Sequence, residues 1–378
     1  MIKVQGMLMV GAFGRDVGKT RLACALINKF GSQGNVVGVK VTAIGHVKDS
    51  CPRGGDGCGV CSALQGPFQI TEETDRKAGK DTCKMLAAGA KKVYWLRVLK
   101  SHLDDGVKAL MEVVGKDCVF VCESNSLRLA VEPDVFILVK AAKSEDHKPS
   151  IKEVIGYADR VVTFDGDKYD IELDEFKIAD GRWSVKMGAT AIIMAGGASS
   201  RMGEDKSMLP IEGKSMIEHI YGQLEGNFSE IIISSNEADK HGFLGAKVVP
   251  DRVTGQGPLM GIASAMEASA NDLNFVLACD IPSLDMDFVK EMLRGAQGFD
   301  AVIPRGGADK IEPLFGVYNK SILDNINKTL DAGKRRVTEA LEASNVKYVD
   351  ISDVDWLTNI NTVEDYQGYI GRSDSDII

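Results

Sequence analysis

The residues best equipped for chemistry stand at 191–206, read as AIIMAGGASSRMGEDK. A short apolar run, Ala191–Ala195, breaks into Gly196-Gly197, and Arg201 and Lys206 follow before the next apolar stretch. A strand that ends in a glycine loop gathers bare backbone N–H groups, and two cations add positive charge, which suits a nucleoside triphosphate. The loop amides around Ala195, Gly196 and Gly197 are expected to hold the nucleotide. Arg201 and Lys206 are expected to neutralise it during catalysis.

A second apolar run, Phe275–Ala278, leads into Cys279-Asp280-Ile281-Pro282. A lone carboxylate at the carboxyl end of a strand can hold Mg²⁺ against a triphosphate, so Asp280 is the expected catalytic metal ligand. Between the two runs lies Pro250-Asp251-Arg252, then Gly255-Gln256-Gly257-Pro258-Leu259. A glycine–proline turn opening a helix allows close approach of backbone to a flat base.

Residues 11–20, GAFGRDVGKT, form another phosphate loop candidate. Gly14 and Gly18 would let backbone amides cradle phosphates, Lys19 would reach the β and γ phosphates, and the Thr20 hydroxyl would ligate Mg²⁺. The spacing departs from the standard P-loop, with Phe13 where glycine is expected. Glu123, after the apolar run 118–122, is placed either to hold Mg²⁺ through water or to stand as a solvated strand-end carboxylate.

These motifs carry two resemblances. Residues 190–370 are similar to molybdenum cofactor guanylyltransferases through G-G-x-S-x-R-M-G-x-D-K at 196–206, Gly257–Gly261 and Cys279–Pro282. That resemblance implies transfer of GMP from GTP to the terminal phosphate of molybdenum-bearing molybdopterin, with release of pyrophosphate. It implies a guanine pocket at Asp251, Gly257, Pro258 and Leu259, Mg²⁺ on Asp280, and Asn361 near the acceptor in Asn359-Ile360-Asn361-Thr362, where Val363 replaces a usual proline. Thr362 also suits a helix N-cap. Lys334-Arg335-Arg336 offers charge to an acidic pterin phosphate or forms a solvated helix face, and Arg335 is the candidate acceptor contact. Residues 6–140 resemble, more patchily, the GTP-binding adaptor proteins of molybdopterin-guanine dinucleotide synthesis, through the phosphate loop, Val39-Lys40, Lys80-Asp81-Thr82 and Val93–Leu96. Molybdoenzymes and other cofactor-synthesis proteins are the implied partners, and an oligomer is compatible with the family. Two alternatives stay open: a cytidylyl- or other nucleotidyltransferase acting on a different phosphorylated acceptor, and a nucleotide- and metal-binding regulator without transferase activity.

Cys51, Cys58 and Cys61 sit in the glycine-rich stretch CPRGGDGCGVC, and Cys83 follows. Four thiolates suit Zn²⁺ or an iron–sulfur cluster, and unligated thiols are the alternative.

These residues need elements to position them. The 378 residues favour two domains. Strand-like and helix-like segments alternate in both halves, as in an α/β chain built on mostly parallel sheets. The expected organisation is a P-loop NTPase-like domain over 1–186, a Rossmann-like nucleotidyltransferase domain over 187–370 and a frayed tail over 371–378. Expected strands include 7–13, 36–41, 92–96, 118–122 and 190–195. A closing hairpin is expected from 169–173 and 176–178. The net charge of −9 with no basic stripe argues against nucleic acid. No run reaches membrane-spanning length, and the opening MIKVQGMLMVGAFG reads as a strand rather than a signal peptide, so a cytoplasmic location is expected.

Overall fold

The computed structural model describes residues 1–32, 35–45, 64–115, 118–143, 151–196, 205–307, 310–351 and 357–373. The chain divides into two compact units, Met1–Val185 and Lys186–Ile378.

The first unit is built on strands β1 (Ile2–Ala12), β2 (Val36–Ile44), β3 (Phe68–Glu72), β4 (Val93–Leu99), β5 (Val119–Glu123), β6 (Val131–Ala141) and β7 (Arg160–Phe164). Their order in the sheet is β3-β4-β2-β5-β1-β6-β7, with β3 antiparallel and the rest parallel. Helices α1 (Lys19–Gly31), α2 (Asp81–Ala87), α3 (Leu103–Val114) and α4 (Ile151–Val154) cover it. The central strands β1, β5 and β6 are largely buried on both faces, as parallel sheets require. Leu8, Val10, Val121 and Val139 pack beneath α1 and α2, and Met9, Val39, Phe120 and Leu138 form the opposite core.

A hairpin, β8 (Phe176–Ala179) with β9 (Arg182–Val185), closes the unit. This corrects the expected hairpin partner at 169–173, which makes only a single bridge between Phe164 and Tyr169. The reason is the dipeptide Asp180-Gly181, whose φ values of 52° and 69° fit the tight turn that matches strand twist. Trp183 packs edge-on against Phe30 of α1 at 5.0 Å. The hairpin is tied to β1 at a bulge where Gly6 has φ 78°. Any Cβ there would lie 3.1 Å from the Cys118 carbonyl oxygen. One oxygen of Asp134 accepts from both Gly6 N–H (2.8 Å) and Trp183 N–H (3.1 Å).

The second unit holds β10 (Met187–Met194), the short pair β11 (Pro210–Ile211) and β12 (Lys214–Ser215), β13 (Phe228–Ser234), β14 (Lys247–Val249), β15 (Leu273–Ala278), β16 (Ala301–Arg305), β17 (Phe315–Asn319) and β18 (Val346–Asp350). Its seven-stranded sheet runs β14-β13-β10-β15-β17-β16-β18. Strands β14, β13, β10 and β15 are parallel, and β17 is antiparallel to both neighbours. The helices are α5 (Met216–Leu224), α6 (Ala238–His241), α7 (Pro258–Ala268), α8 (Met286–Arg294), α9 (Leu323–Asp331), α10 (Val337–Glu342) and α11 (Val363–Ser373). Ser215 and Glu218 form a reciprocal capping box on α5. The last helix runs to Ser373, past the expected end of order at 370. The first strand begins at Met187 rather than Thr190 because a register shift between Met187 and Thr190 admits extra residues to the ladder with β13.

Asp134→Ala is expected to strand two backbone donors and to lower stability by about 1–3 kcal/mol, read as a lower urea midpoint of the first unit. Asp134→Asn, which keeps an acceptor, should lose less; equal loss in both variants would assign the effect to charge.

Candidate active site

Because β13, β10 and β15 are parallel and in register, Ser234, Met194 and Ala278 end at one edge of the sheet. The chain leaves that edge under control. Ala195 N–H donates to the Ser234 carbonyl (3.0 Å), and Cys279 N–H to the Met194 carbonyl (3.2 Å). The following residues therefore converge where open α/β sheets bind ligands.

Asp280 sits at the centre. Its Oδ2 lies 3.4 Å from Lys206 Nζ, which also donates to Asn361 Oδ1 at 3.0 Å. Backbone fixes the third member, since Ile360 N–H donates to the Asp280 carbonyl (2.8 Å). Asp365 accepts from Asn361 N–H and Thr362 N–H, and Thr362 Oγ1 accepts from Asp365 N–H, a cap that opens α11. Thr362 thus caps the helix while its neighbour Asn361 reaches the site. Burial pushes the Asp280 carboxyl above the usual aspartate range, Lys206 opposes this, and the charge of Glu312 adds to it. The other carboxylate oxygen, Oδ1, is buried with no hydrogen-bond partner among the described residues.

Two contributors were not among the expected site residues: Asp205, which lies within the 196–206 motif, and Lys240, which lies in none. Asp205 accepts from both Ser207 N–H (3.0 Å) and Ser207 Oγ (2.9 Å), which folds the turn that carries Lys206. Lys240 of α6 forms an ion pair with Asp205 and a second with Glu237 at 3.0 Å. The signal available in the sequence was position alone: Lys240 follows β13 at the edge where the nucleotide loop also begins. His241, beside it, is fully buried, and neither ring nitrogen has a hydrogen-bond partner among the described residues.

The turn expected to face a base is built from two contacts. Asp251 N–H donates to Asn236 Oδ1 (2.8 Å), and Asn236 Nδ2 donates back to Asp251 Oδ2 (3.0 Å). Gly257 caps α7 with φ 75°, and Pro258 takes the first helical turn, where its missing N–H costs nothing. Leu259 points into the core and is fully buried. Arg335 donates from Nη1 to the Gly255 carbonyl (3.2 Å). The exposed cation expected at the acceptor thus braces the base-side turn.

In the first unit the residues expected to form a phosphate loop meet strand-end charge. Gly18 adopts φ 87°, and its carbonyl accepts from Tyr169 Oη at 2.7 Å. Gly14 lies in the bend between β1 and α1. Asn125 locks the end of β1 by accepting from Ala12 N–H and donating to Ala12 O, both at 2.8 Å. Glu123 is only 3% exposed, which excludes the solvated alternative. Lys19 Nζ lies 3.0 Å from its Oε1, and Thr20 Oγ1 donates to Oε2 at 2.8 Å. Lys40 Nζ lies 3.8 Å from Glu123 and pairs closely with Asp81.

Gly197, Arg201, Cys51, Cys58 and Cys61 lie outside the described residues. Cys83 is buried within α2, and burial pushes its thiol pKa up. That environment disfavours the thiolate expected of a ligand. Among the described residues, no group of three or more His, Cys, Asp or Glu could hold a metal ion. No described helix is long and apolar enough to cross a membrane.

His241 gives a test of the α6 brace. Burial holds its pKa below the usual value, and the charge of Lys240 acts in the same direction. The folded state therefore prefers neutral imidazole, while the unfolded chain takes a proton near pH ~6.5. Its contribution to stability is intact above that value and is lost as pH falls below it. His241→Phe should show a smaller drop in unfolding temperature between pH 7 and pH 5 than the parent; identical drops would remove His241 from the account.

Comparison with known proteins places this geometry. A family model described as MobA-like NTP transferase domain matches residues 191–346, wholly within the second unit. A "Probable molybdenum cofactor guanylyltransferase" of Pelotomaculum thermopropionicum is 36% identical over 172 residues, covering 46% of this chain and 83% of the relative. One from Carboxydothermus hydrogenoformans is 34% identical over 185 residues, covering 47% and 93%. The crystal structure of "Molybdopterin-guanine dinucleotide biosynthesis protein A" from Archaeoglobus fulgidus is 24% identical, covers 49% of this chain and 99% of its own, and has a TM-score of 0.44. With Lys206 and Asp280 gathered at the sheet edge inside the matched region, and Asn361 reaching them from beyond it, the chain belongs to the MobA-like NTP transferase family and is a nucleotidyltransferase.

Proposed function

We propose that the second unit transfers GMP from GTP to the terminal phosphate of molybdopterin. The observation that carries this is Asp280: a half-buried carboxylate with one oxygen held by Lys206 and the other, Oδ1, buried without a hydrogen-bond partner among the described residues. A buried anionic oxygen left unpaired is costly, and it fits a cation that arrives with the nucleotide. Asp280 would hold Mg²⁺, which when bound supplies positive charge against the triphosphate. The guanine and molybdopterin assignments rest on the names of the relatives, both probable molybdenum cofactor guanylyltransferases.

The protein's own residues do the rest by position and charge. Amides around Gly196 and Gly197 receive phosphate, and Arg201 and Lys206 face the oxygens that gain charge as pyrophosphate leaves. An oxygen of the acceptor phosphate forms the new bond to the α-phosphorus of GTP, and the bond from that phosphorus to the bridging oxygen breaks. No side-chain nucleophile is needed. Asn361 orients the Lys206 ammonium, and Lys240 holds the turn beneath it through Asp205. Asp251, Gly257, Pro258 and Leu259 form the base side, with Arg335 bracing its turn.

The first unit is read as a separate P-loop nucleotide site with the role of an adaptor or NTPase. Lys19, Thr20 and Glu123 support this, because they join phosphate-binding and Mg²⁺-holding groups at the end of a parallel sheet. Glu123 contacts both Lys19 and Thr20. Nucleotide binding on this reading exchanges those contacts for phosphate and metal. Domains at 1–186 and 187–370, with GTP as substrate and Mg²⁺ as cofactor, complete the proposal.

The test is a product assay with Mg²⁺, molybdopterin and each nucleoside triphosphate in turn, read by mass. GTP should give a guanine dinucleotide. Asp280→Ala should lower the rate by about 10²-fold or more, whereas Lys19→Ala should leave transfer within about threefold of the parent. A cytosine product would overturn the guanylyl assignment, and full activity in Asp280→Ala would overturn the proposed centre.

A further inference from the structure

One face of the first sheet carries a polar, aromatic ledge that the phosphate site does not use. Register places Glu123, Lys40, Trp95 and Thr71 side by side across β5, β2, β4 and β3. The next row on the same face holds Thr42, Arg97 and Gln69. Side chains alternate along strands, so these two rows continue the face that packs under α1 and α2. Helix α2 covers that face as far as the Gly38–Val93 row, where any Cβ on Gly38 would meet Met85 Cβ at 3.3 Å. Beyond it, Lys40, Thr42, Trp95, Arg97 and Gln69 are all half-buried.

A tryptophan in mid-sheet of an α/β unit would ordinarily be sealed by a helix. Here polar neighbours hold Trp95 instead. Its indole N–H donates to Thr42 Oγ1 at 3.0 Å, and the Arg97 guanidinium lies 4.9 Å from its ring centroid. Arg97 is fixed by Gln69, to which Nη2 donates at 2.7 Å, and its Nε is buried with no hydrogen-bond partner among the described residues. The ledge thus offers an aromatic ring with a cation fixed over one of its faces, and Lys40 one strand spacing away toward the phosphate site, about 4.8 Å. Aromatic planes with adjoining cations bind flat, anionic heterocycles by stacking and charge.

We propose that this ledge binds a planar heteroaromatic ring carrying an anionic group, as a second ligand beside the phosphate loop, with the ring on Trp95 and the anion toward Lys40. Charge complementarity supports the anion: Lys40 and Arg97 stand in adjacent rows of this face, and an anionic ligand competes with Asp81 and Glu123, which both pair with Lys40. Its place as a second ligand rests on the reading of the first unit as a nucleotide site; the ledge itself does not.

The experiment is calorimetric titration of the full chain with pterin-6-carboxylate, a flat anionic probe. The parent should bind it, and Trp95→Leu and Lys40→Met should each weaken binding about tenfold or more, equivalent to about 1.4 kcal/mol. Trp95→Phe should stay within about threefold, which a loss of folding or of mere bulk would not allow. GTP binding by each variant is measured in parallel, so that failure of the phosphate site, seen as unchanged GTP binding in Lys19→Ala, is separate from failure of the ledge. Absence of binding by the parent, or affinities of Trp95→Leu and Lys40→Met equal to the parent's, would overturn the proposal.

Discussion

Each unit is organised around a strand-end carboxylate that is withdrawn from water and held by lysine. In the transferase unit this is Asp280 with Lys206, and in the first unit Glu123 with Lys19. Such a group is expensive to bury unless its charge is matched. The match is partial at Asp280, where one oxygen has no hydrogen-bond partner among the described residues. Parallel strands make the arrangement possible, because they bring several strand ends, and the loops that leave them, to one edge.

The transferase site then depends on how firmly the loops are tied. Lys206 does not rely on its own flexible stem for direction. Asn361 draws it from one side, and Asp205, itself held by Ser207 and Lys240, shapes the turn from the other. Such positioning is the main protein contribution to a reaction that needs little covalent chemistry. The buried imidazole of His241 roots α6 and with it Lys240 in the fold.

Much of this was legible in the residues. The alternation of apolar runs and helix patterns gave an α/β chain, and the glycine loop with Lys206, followed much later by Cys279-Asp280-Ile281-Pro282, pointed to nucleotidyl transfer. What stayed hidden was long-range pairing. Nothing near Lys240 in sequence reveals that it meets Asp205, because the contact arises from two strand ends lying side by side. Arg335 was read by its charge alone, whereas its partner is a backbone carbonyl eighty positions earlier in the chain. The hairpin error was different in kind: the Asp180-Gly181 turn signal was present, but the alternation at 169–173 was given more weight. The thiol Cys83 was grouped with Cys51, Cys58 and Cys61 by spacing, while its burial in α2 depends on packing that spacing does not encode.

The central claim is that the chain holds two separate nucleotide sites, each built on its own strand-end carboxylate. Equilibrium dialysis of the full chain with Mg²⁺ and a non-hydrolysable GTP analogue tests it most directly. The account predicts two equivalents bound by the parent and one by Lys19→Ala, with the remaining site lost when Asp280 is also replaced by alanine. One equivalent in the parent, unchanged by Lys19→Ala, would contradict it.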